Sequence, residues 1–237
     1  MRTSAVVRLN RLGLRCKVLG QYERGRAYYR RALAMIGGDT GPNRAAVATL
    51  YHNLAGVEHG LGSFASAVVL ARRGIAIQLA RPDADRREVA ADLIALAAIL
   101  DAQHDAAAER CFLRGLRLLH PCRTGDGREI ALGLGGLGAL HVAGGRYRRG
   151  MRLLQRSITR AQAAAGGADP ALAVTLNNFA LACERLGRPK LAQSALDRAL
   201  GILEPVLGPD HPSTVACRAN ATRMATRPEV PVRASRS

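Results

Sequence analysis

Residues 175–214 read TLNNFALACERLGRPKLAQSALDRALGILEPVLGPDHPST, and this stretch predicts two helices and a closing turn. Apolar residues follow helical spacing from Asn177 to Leu186, and again from Lys190 to Leu207. Gly187 separates the two segments and permits the left-handed turn with which many helices end. Gly208 and Pro209 end the second segment, since proline cannot continue a helix. The stretch therefore predicts a helix–turn–helix unit.

Weaker copies of this unit recur towards the N-terminus. Stepping back from Gly187 in intervals of 42, 42, 41 and 42 residues reaches the positions Gly145, Gln103, Gly62 and Gly20. A fixed period of about 20–50 residues is typical of solenoids and repeat arrays. Other columns follow the same register. Five residues after each anchor stand the small residues Gly25, Ala67, Ala108, Gly150 and Ala192. Thirteen residues after it stand the aliphatic residues Leu33, Ile75, Leu116, Ile158 and Leu200.

The pattern resembles the tetratricopeptide repeat, a helix–turn–helix unit of about 34 residues. The longer period, and the words TLNNFA and LGPDHPSTV, resemble the repeats of kinesin light chains and their bacterial relatives. The resemblance implies an all-α, right-handed α-solenoid of about five repeats with a C-terminal capping helix. It also implies a protein-binding module rather than an enzyme.

The register predicts one elongated domain over residues 1–226. Its five repeats lie at about 5–38, 45–80, 87–119, 129–165 and 171–207, and a capping helix follows at 212–225. Capping is expected because the last repeat of a solenoid would otherwise expose its apolar face. Residues 227–237, RPEVPVRASRS, predict a disordered basic tail.

The composition is strongly basic, with a formal net charge of +17 from 35 basic and 18 acidic residues. The bases are almost all arginine, which fits either the composition bias of a GC-rich genome or an acidic partner such as nucleic acid. Five cysteines form an odd set without metal-ligand spacing, which predicts buried, reduced thiols. The N-terminus carries no signal-peptide pattern and no stretch is long enough to span a bilayer, so we expect a cytoplasmic protein.

The sequence offers little support for catalysis or for a bound cofactor or metal. Gly133 to Gly138 spells G-x-G-x-x-G, but the register puts it inside a helix, where a dinucleotide loop cannot form. His120 and Cys122 lack a second pair of ligands at fixed spacing, so no zinc site is predicted. No serine or cysteine lies in a nucleophile motif. We therefore expect no catalytic residues, no cofactor and no metal.

Two surfaces are candidates for binding. The resemblance implies that the first helices line a concave groove that takes a peptide. Ten residues map to that groove, namely Asn10, Arg11, Lys17, His52, Asn53, His59, Asn177, Asn178, Glu184 and Arg185. Amides carry both a donor and an acceptor, so a row of asparagines could bind a peptide backbone, as the resemblance to kinesin light chains implies, or could bridge neighbouring repeats. In repeats three and four the same columns carry Leu93, Ile94, Gly135 and Gly136.

The second surface is a row of arginines eleven residues after each anchor, at Arg31, Arg73, Arg114, Arg156 and Arg198. Such a row could pair with acids of neighbouring repeats, or it could follow the phosphates of a nucleic acid. The leading interpretation is a non-catalytic scaffold or adaptor that binds a peptide or protein in the groove. The alternatives are a nucleic-acid-binding solenoid that uses the arginine row, and a repeat fragment of a larger signalling protein.

Overall fold

The structure is a computed structural model that describes residues 2–37, 41, 43–119, 125–164 and 169–225. Within these residues the chain forms eleven helices and no strand. They are α1 Arg2–Val18, α2 Tyr22–Ile36, α3 Arg44–Gly60, α4 Phe64–Leu79, α5 Arg86–Ala102, α6 Ala107–Leu118, α7 Gly127–Ala143, α8 Tyr147–Ala164, α9 Pro170–Arg185, α10 Pro189–Leu207 and α11 Pro212–Ala225. The all-α fold of five helix pairs and one further helix is thereby confirmed. The predicted tail at 227–237 lies outside the described residues.

Each helix pair is joined by a tight turn whose central residue has a left-handed backbone. Four of these residues are glycines with φ between 69° and 74°, namely Gly20, Gly62, Gly145 and Gly187. The N–H that follows each of them bonds a carbonyl five residues back. These pairs are Gln21 to Cys16, Ser63 to Glu58, Arg146 to His141 and Arg188 to Cys183. The turns therefore satisfy carbonyls that the ends of the first helices would leave unpaired.

The third turn corrects the alignment of the sequence. The left-handed position is His104, with φ of 57°, and not Gln103. The N–H of Asp105 bonds the Leu100 carbonyl, as the other turns require. Compared with the other repeats, the third repeat is one residue shorter at the start of α6. There the N–H of Ala108 bonds the carbonyl of Asp105, three residues back, whereas the other second helices begin with a bond to a carbonyl four residues back. The interval of 41 residues therefore lies after this turn and not before it.

Small residues allow the two helices of a pair to approach closely. Ala67 and Ala192, five residues after their turn glycines, are fully buried, and so is Ala108, four residues after His104. At the crossing of α7 and α8, a Cβ on Gly150 would lie 2.9 Å from the carbonyl oxygen of Gly138. The column of small residues therefore has a packing function, as the sequence predicts.

The chain divides into two compact units, Met1–Glu129 and Ile130–Ser237. In the first unit a core of seven buried side chains joins α1, α2 and α3, namely Val6, Leu9, Tyr29, Ala32, Leu50, Leu54 and Val57. In the second unit the core joins α8 to α11 around buried residues that include Leu172, Leu176, Leu196, Leu203 and Cys217. Cys217 shows that α11 covers the apolar face of the last pair.

Within the first unit the helices form two layers. The first helices α1, α3 and α5 contact one another as well as their own partners. Among the described residues, the second helices α2, α4 and α6 make no comparable contacts with one another. Helices on the inside of a curved two-layer array lie closer together, so α1, α3 and α5 form the inner layer of this unit.

No helix within the described ranges is long and apolar enough to cross a membrane.

Candidate binding surfaces

Two of the predicted groove asparagines contact each other in the first unit. Asn53 on α3 donates its Nδ2 to Oδ1 of Asn10 on α1, at 3.0 Å. Both side chains are half-buried. An amide has two donor hydrogens and an acceptor oxygen, so this bond leaves further capacity on each side chain. The pair thus bridges two repeats and still offers polar groups at the surface.

Lys17 and His59 lie close together one to two turns further along the same helices. The Lys17 ammonium lies over Gly56, where a Cβ would come within 2.6 Å of Nζ. Burial, and then the charge of Arg128, lower the pKa of Lys17. Burial, and then the charge of Lys17, lower the pKa of His59. No carboxylate of the described residues lies within ion-pair distance of Lys17, so its charge is uncompensated in this unit.

His52 has a partner that the sequence did not reveal. Its Nδ1 lies 2.6 Å from Oδ1 of Asp92, which belongs to the next inner helix, α5. The two residues line a small polar pocket with Gln78 and Glu88, whose side chains bond each other. Asp92 is forty residues from His52 and shows no recognisable motif, so only the packing of α3 on α5 identifies the pair.

Two residues in the middle of the predicted groove do not lie on its surface. Leu93 and Ile94 were placed on the groove, but both side chains are buried in the core. The one-residue correction at His104 accounts for this, since it moves the equivalent positions to Ile94 and Ala95. Ala95 is the half-exposed member of that pair.

The second unit repeats the asparagine bridge at its own end. Asn220 on α11 donates to Oδ1 of Asn177 on α9 at 2.9 Å. Asn178 is half-buried beside it. Glu184 binds Arg223 through both oxygens, at 2.6 and 3.0 Å. Sequence analysis gave no bridging function to α11, which supplies a polar partner to α9 at two positions.

Two predicted groove arginines lie apart from these clusters. Arg11 is exposed on α1 and borders a shallow pocket with Ser4, Val7 and Arg8. Arg185 is exposed at the end of α9, with its guanidinium 5.9 Å from the ring centre of Tyr147. Neither shares a described contact with the asparagine bridges.

The predicted arginine row is solvent-exposed in both units. All five members, Arg31, Arg73, Arg114, Arg156 and Arg198, lie on second helices with exposed side chains. Arg73 additionally places its guanidinium 5.2 Å from the ring centre of Tyr51. The row is therefore available to solvent, as a solvated ladder or a phosphate-binding surface would both require.

The described residues contain no group of three or more His, Cys, Asp or Glu side chains that could hold a metal ion. Gly133, Gly135 and Gly138 are buried within α7. Cys16, Cys111, Cys183 and Cys217 are free thiols, and burial raises the pKa of the last three. His120 and Cys122, for which no zinc site is predicted, lie outside the described residues.

The paired helices, the glycine turns and the buried columns of small residues define the chain as a helical-repeat protein. The sequence model of the tetratricopeptide repeat matches residues 5–80 and 129–204, and the chain belongs to this family.

Individual relatives agree with this assignment. The protein KINESIN LIGHT CHAIN-RELATED 2 of Arabidopsis thaliana is 23% identical over 203 residues, which cover 85% of this chain and 31% of that protein. BtubC (BKLC) from P. vanneervenii has a similar structure, with a TM-score of 0.58, 17% identity and 97% of each chain covered. NprR in complex with its cognate peptide NprX gives a TM-score of 0.69 at 15% identity, covering 95% of this chain and 61% of NprR. The chain thus spans about a third of the curated relative.

Proposed function

We propose that this chain is a non-catalytic interaction module that binds a peptide or protein segment on the inner layer of its first unit. The observation that carries the proposal is the half-buried Lys17 of α1, whose ammonium lies over Gly56 of α3 without a carboxylate partner among the described residues. A buried cation without a counter-charge costs stability, and such groups are found where a ligand supplies the missing charge.

The surrounding residues suggest how an extended ligand would be bound. The Asn10–Asn53 pair retains amide groups that can bond a peptide backbone without reading its side chains. One to two turns away, the Lys17 ammonium favours an acidic side chain. This division of tasks, with amides for the backbone and an ammonium group for charge, supports an acidic segment of a protein as the ligand. NprR, which shares the fold, is in complex with its cognate peptide NprX, which supports a peptide as the class of ligand.

A crosslinking experiment tests where the partner binds. A photoreactive amino acid is placed at His59 on the inner layer and, as a matched control, at Arg31 on the outer helix α2. We expect a partner to crosslink at position 59 and not at position 31. Crosslinking from position 31 alone would contradict the proposal.

The second candidate function is nucleic-acid binding by the arginine row, which the exposure of all five members favours. It predicts an affinity that falls steeply with salt concentration. It also predicts that Lys17→Met leaves binding unchanged while Arg156→Gln weakens it.

We also propose that the protein is located in a reducing compartment, on the basis of its free thiols. Because the chain matches only 31% of its curated relative, we propose as an alternative that it acts as one part of a larger protein.

A further inference from the structure

The helix α8 has a charge pattern that the repeat does not require. Its sequence, YRRGMRLLQRSITRAQAA, carries five arginines and no acid. Two of them, Arg148 and Arg152, lie one turn apart on the same face and are exposed. They border one solvent-open pocket of 430 Å³ together with Arg188, which follows the turn after α9. Three arginine side chains therefore border one pocket of the second unit.

The lining of this pocket combines the three arginines with two apolar residues. Met151 and Leu186 supply the remaining lining side chains. Among the described residues, no Asp or Glu borders the pocket, and the nearby Glu184 accepts a hydrogen bond from Arg223. The pocket also lies at the N-terminal end of α10, whose first turn has no side-chain cap. The helix dipole adds partial positive charge at that end.

The repeat register supplies an internal comparison. The positions that correspond to Arg148, Arg152 and Arg188 at the junction of repeats one and two are Glu23, Ala27 and Ser63. A junction of this fold therefore forms without any of the three arginines. Their convergence is not explained by the packing of the repeat.

We propose that this pocket binds the phosphate of a phosphorylated serine or threonine on a partner protein. A phosphomonoester carries nearly two negative charges at neutral pH and three oxygen acceptors. Guanidinium groups bind phosphate oxygens in pairs, and clusters of arginines recognise phosphorylated segments for that reason. Met151 and Leu186 can contact the carbon atoms of the phosphorylated residue, which free phosphate lacks.

The geometry favours a single phosphomonoester over a nucleic acid. The three arginines converge on one pocket instead of following a line of phosphates. Nucleic acid phosphates are diesters with one charge each, and single strands bind largely through stacking on aromatic side chains. No aromatic residue borders this pocket.

The test is an NMR titration of the whole chain with an alanine-based nonapeptide that carries one central phosphoserine. We expect saturable shifts of the Nε–H signals of Arg148, Arg152 and Arg188, with no response to the same peptide unphosphorylated. Arg152→Gln should weaken binding about fivefold to tenfold, since it removes a charge-assisted hydrogen bond. The affinity of Arg152→Lys should lie between those of the wild type and Arg152→Gln, because lysine keeps the charge but not the paired donors. Binding should weaken below about pH 6, where the phosphate loses its second charge.

Arg156→Gln is the matched control, since Arg156 is exposed on the same helix and does not border the pocket. It should change the affinity by less than twofold. Three further probes separate the alternatives: inorganic phosphate, dimethyl phosphate and a single-stranded RNA oligonucleotide. If inorganic phosphate binds as tightly as the phosphopeptide, the proposal of a protein ligand is wrong. If the oligonucleotide binds and Arg156→Gln and Arg152→Gln weaken its binding alike, the arginines form a diffuse nucleic-acid surface and not a phosphate pocket. If the shifts with the phosphopeptide do not saturate, the proposed site is wrong. Lys17→Met should not affect this titration, because Lys17 does not border the pocket. The test of the pocket is therefore independent of the test of the groove.

Discussion

His104 has the left-handed backbone that the other turns between paired helices give to glycine. At φ of 57° its Cβ crowds the backbone, which costs L-residues about 1–2 kcal/mol. The turn is formed nevertheless, because the N–H of Asp105 still bonds the Leu100 carbonyl. The third repeat thus keeps the turn geometry of its neighbours without their glycine.

His104→Gly should therefore stabilise the chain. Relief of the strain outweighs the greater freedom of glycine in the unfolded state, and we expect a gain of about 0.5–1 kcal/mol in the free energy of unfolding. Urea unfolding followed by circular dichroism measures it. Gly187→Ala is the reverse control, since it places a Cβ at φ of 69°, and it should destabilise. A loss of stability in His104→Gly would show that the side chain stabilises the turn.

Lys17 is a second residue that lowers stability, in its case through burial, and it belongs to the proposed binding surface. Because burial lowers its pKa, the folded state releases this proton at a lower pH than the unfolded state does. Stability therefore rises as pH increases from the lowered pKa towards the ordinary lysine value of about 10.4.

Lys17→Met should remove that rise and raise stability at pH 7 by about 1 kcal/mol, since methionine fills the site without a charge. Urea midpoints at pH 7 and pH 9.5 measure both effects. The part of the pH dependence near pH 6 that arises from His59 should become smaller, because the charge of Lys17 contributes to its lowered pKa. A destabilised Lys17→Met at pH 7 would contradict an uncompensated cation at this site.

At the scale of the helix, α7 shows how packing can override intrinsic propensity. Glycines inside a helix cost about 1 kcal/mol each relative to alanine. In α7, however, Gly138 lies directly against Leu154, and Gly135 lies against Ser157 and Thr175. Ser157 also donates to the Ala131 carbonyl at 2.6 Å. The glycines thus permit a close crossing of α7 and α8.

Two glycine substitutions separate propensity from packing. Gly201 lies in the interior of α10 with open space around it, so Gly201→Ala should stabilise by about 0.5–1 kcal/mol. A Cβ at Gly138 would lie 2.7 Å from Cγ of buried Leu154, so Gly138→Ala should destabilise by about 1–3 kcal/mol. Thermal unfolding of both variants measures the difference in sign. Stabilisation by Gly138→Ala would show that α8 can move away without loss.

The elements could be predicted from sequence, because spacing and turn glycines act locally. The helix of residues 189–207 and the turn at Gly187 follow from residues close in the chain. The third turn was misplaced by one residue, because His104 carries no signal for a left-handed backbone. The contacts His52–Asp92 and Asn177–Asn220 join residues about forty positions apart. They depend on how neighbouring helices pack, and no local pattern specifies them.

Across the whole molecule, the arginines that produce the net positive charge have different surroundings. Glu58 is fully buried and pairs with Arg26 at 2.8 Å and with Arg30 at 3.5 Å, so some arginines stabilise the fold. Among the described residues, no carboxylate borders the α8 pocket. The arginines therefore divide into those that pair with acids of the fold and those that are exposed at the surface.

The central claim is that the inner layer of the first unit binds an acidic protein segment. The most direct measurement is a pull-down at physiological salt with nuclease treatment, comparing the wild type with Lys17→Met and Arg156→Gln. We predict a protein partner that withstands nuclease, is lost or at least tenfold depleted with Lys17→Met, and is retained with Arg156→Gln. A partner that nuclease removes, or that Lys17→Met retains while Arg156→Gln loses it, would contradict the account.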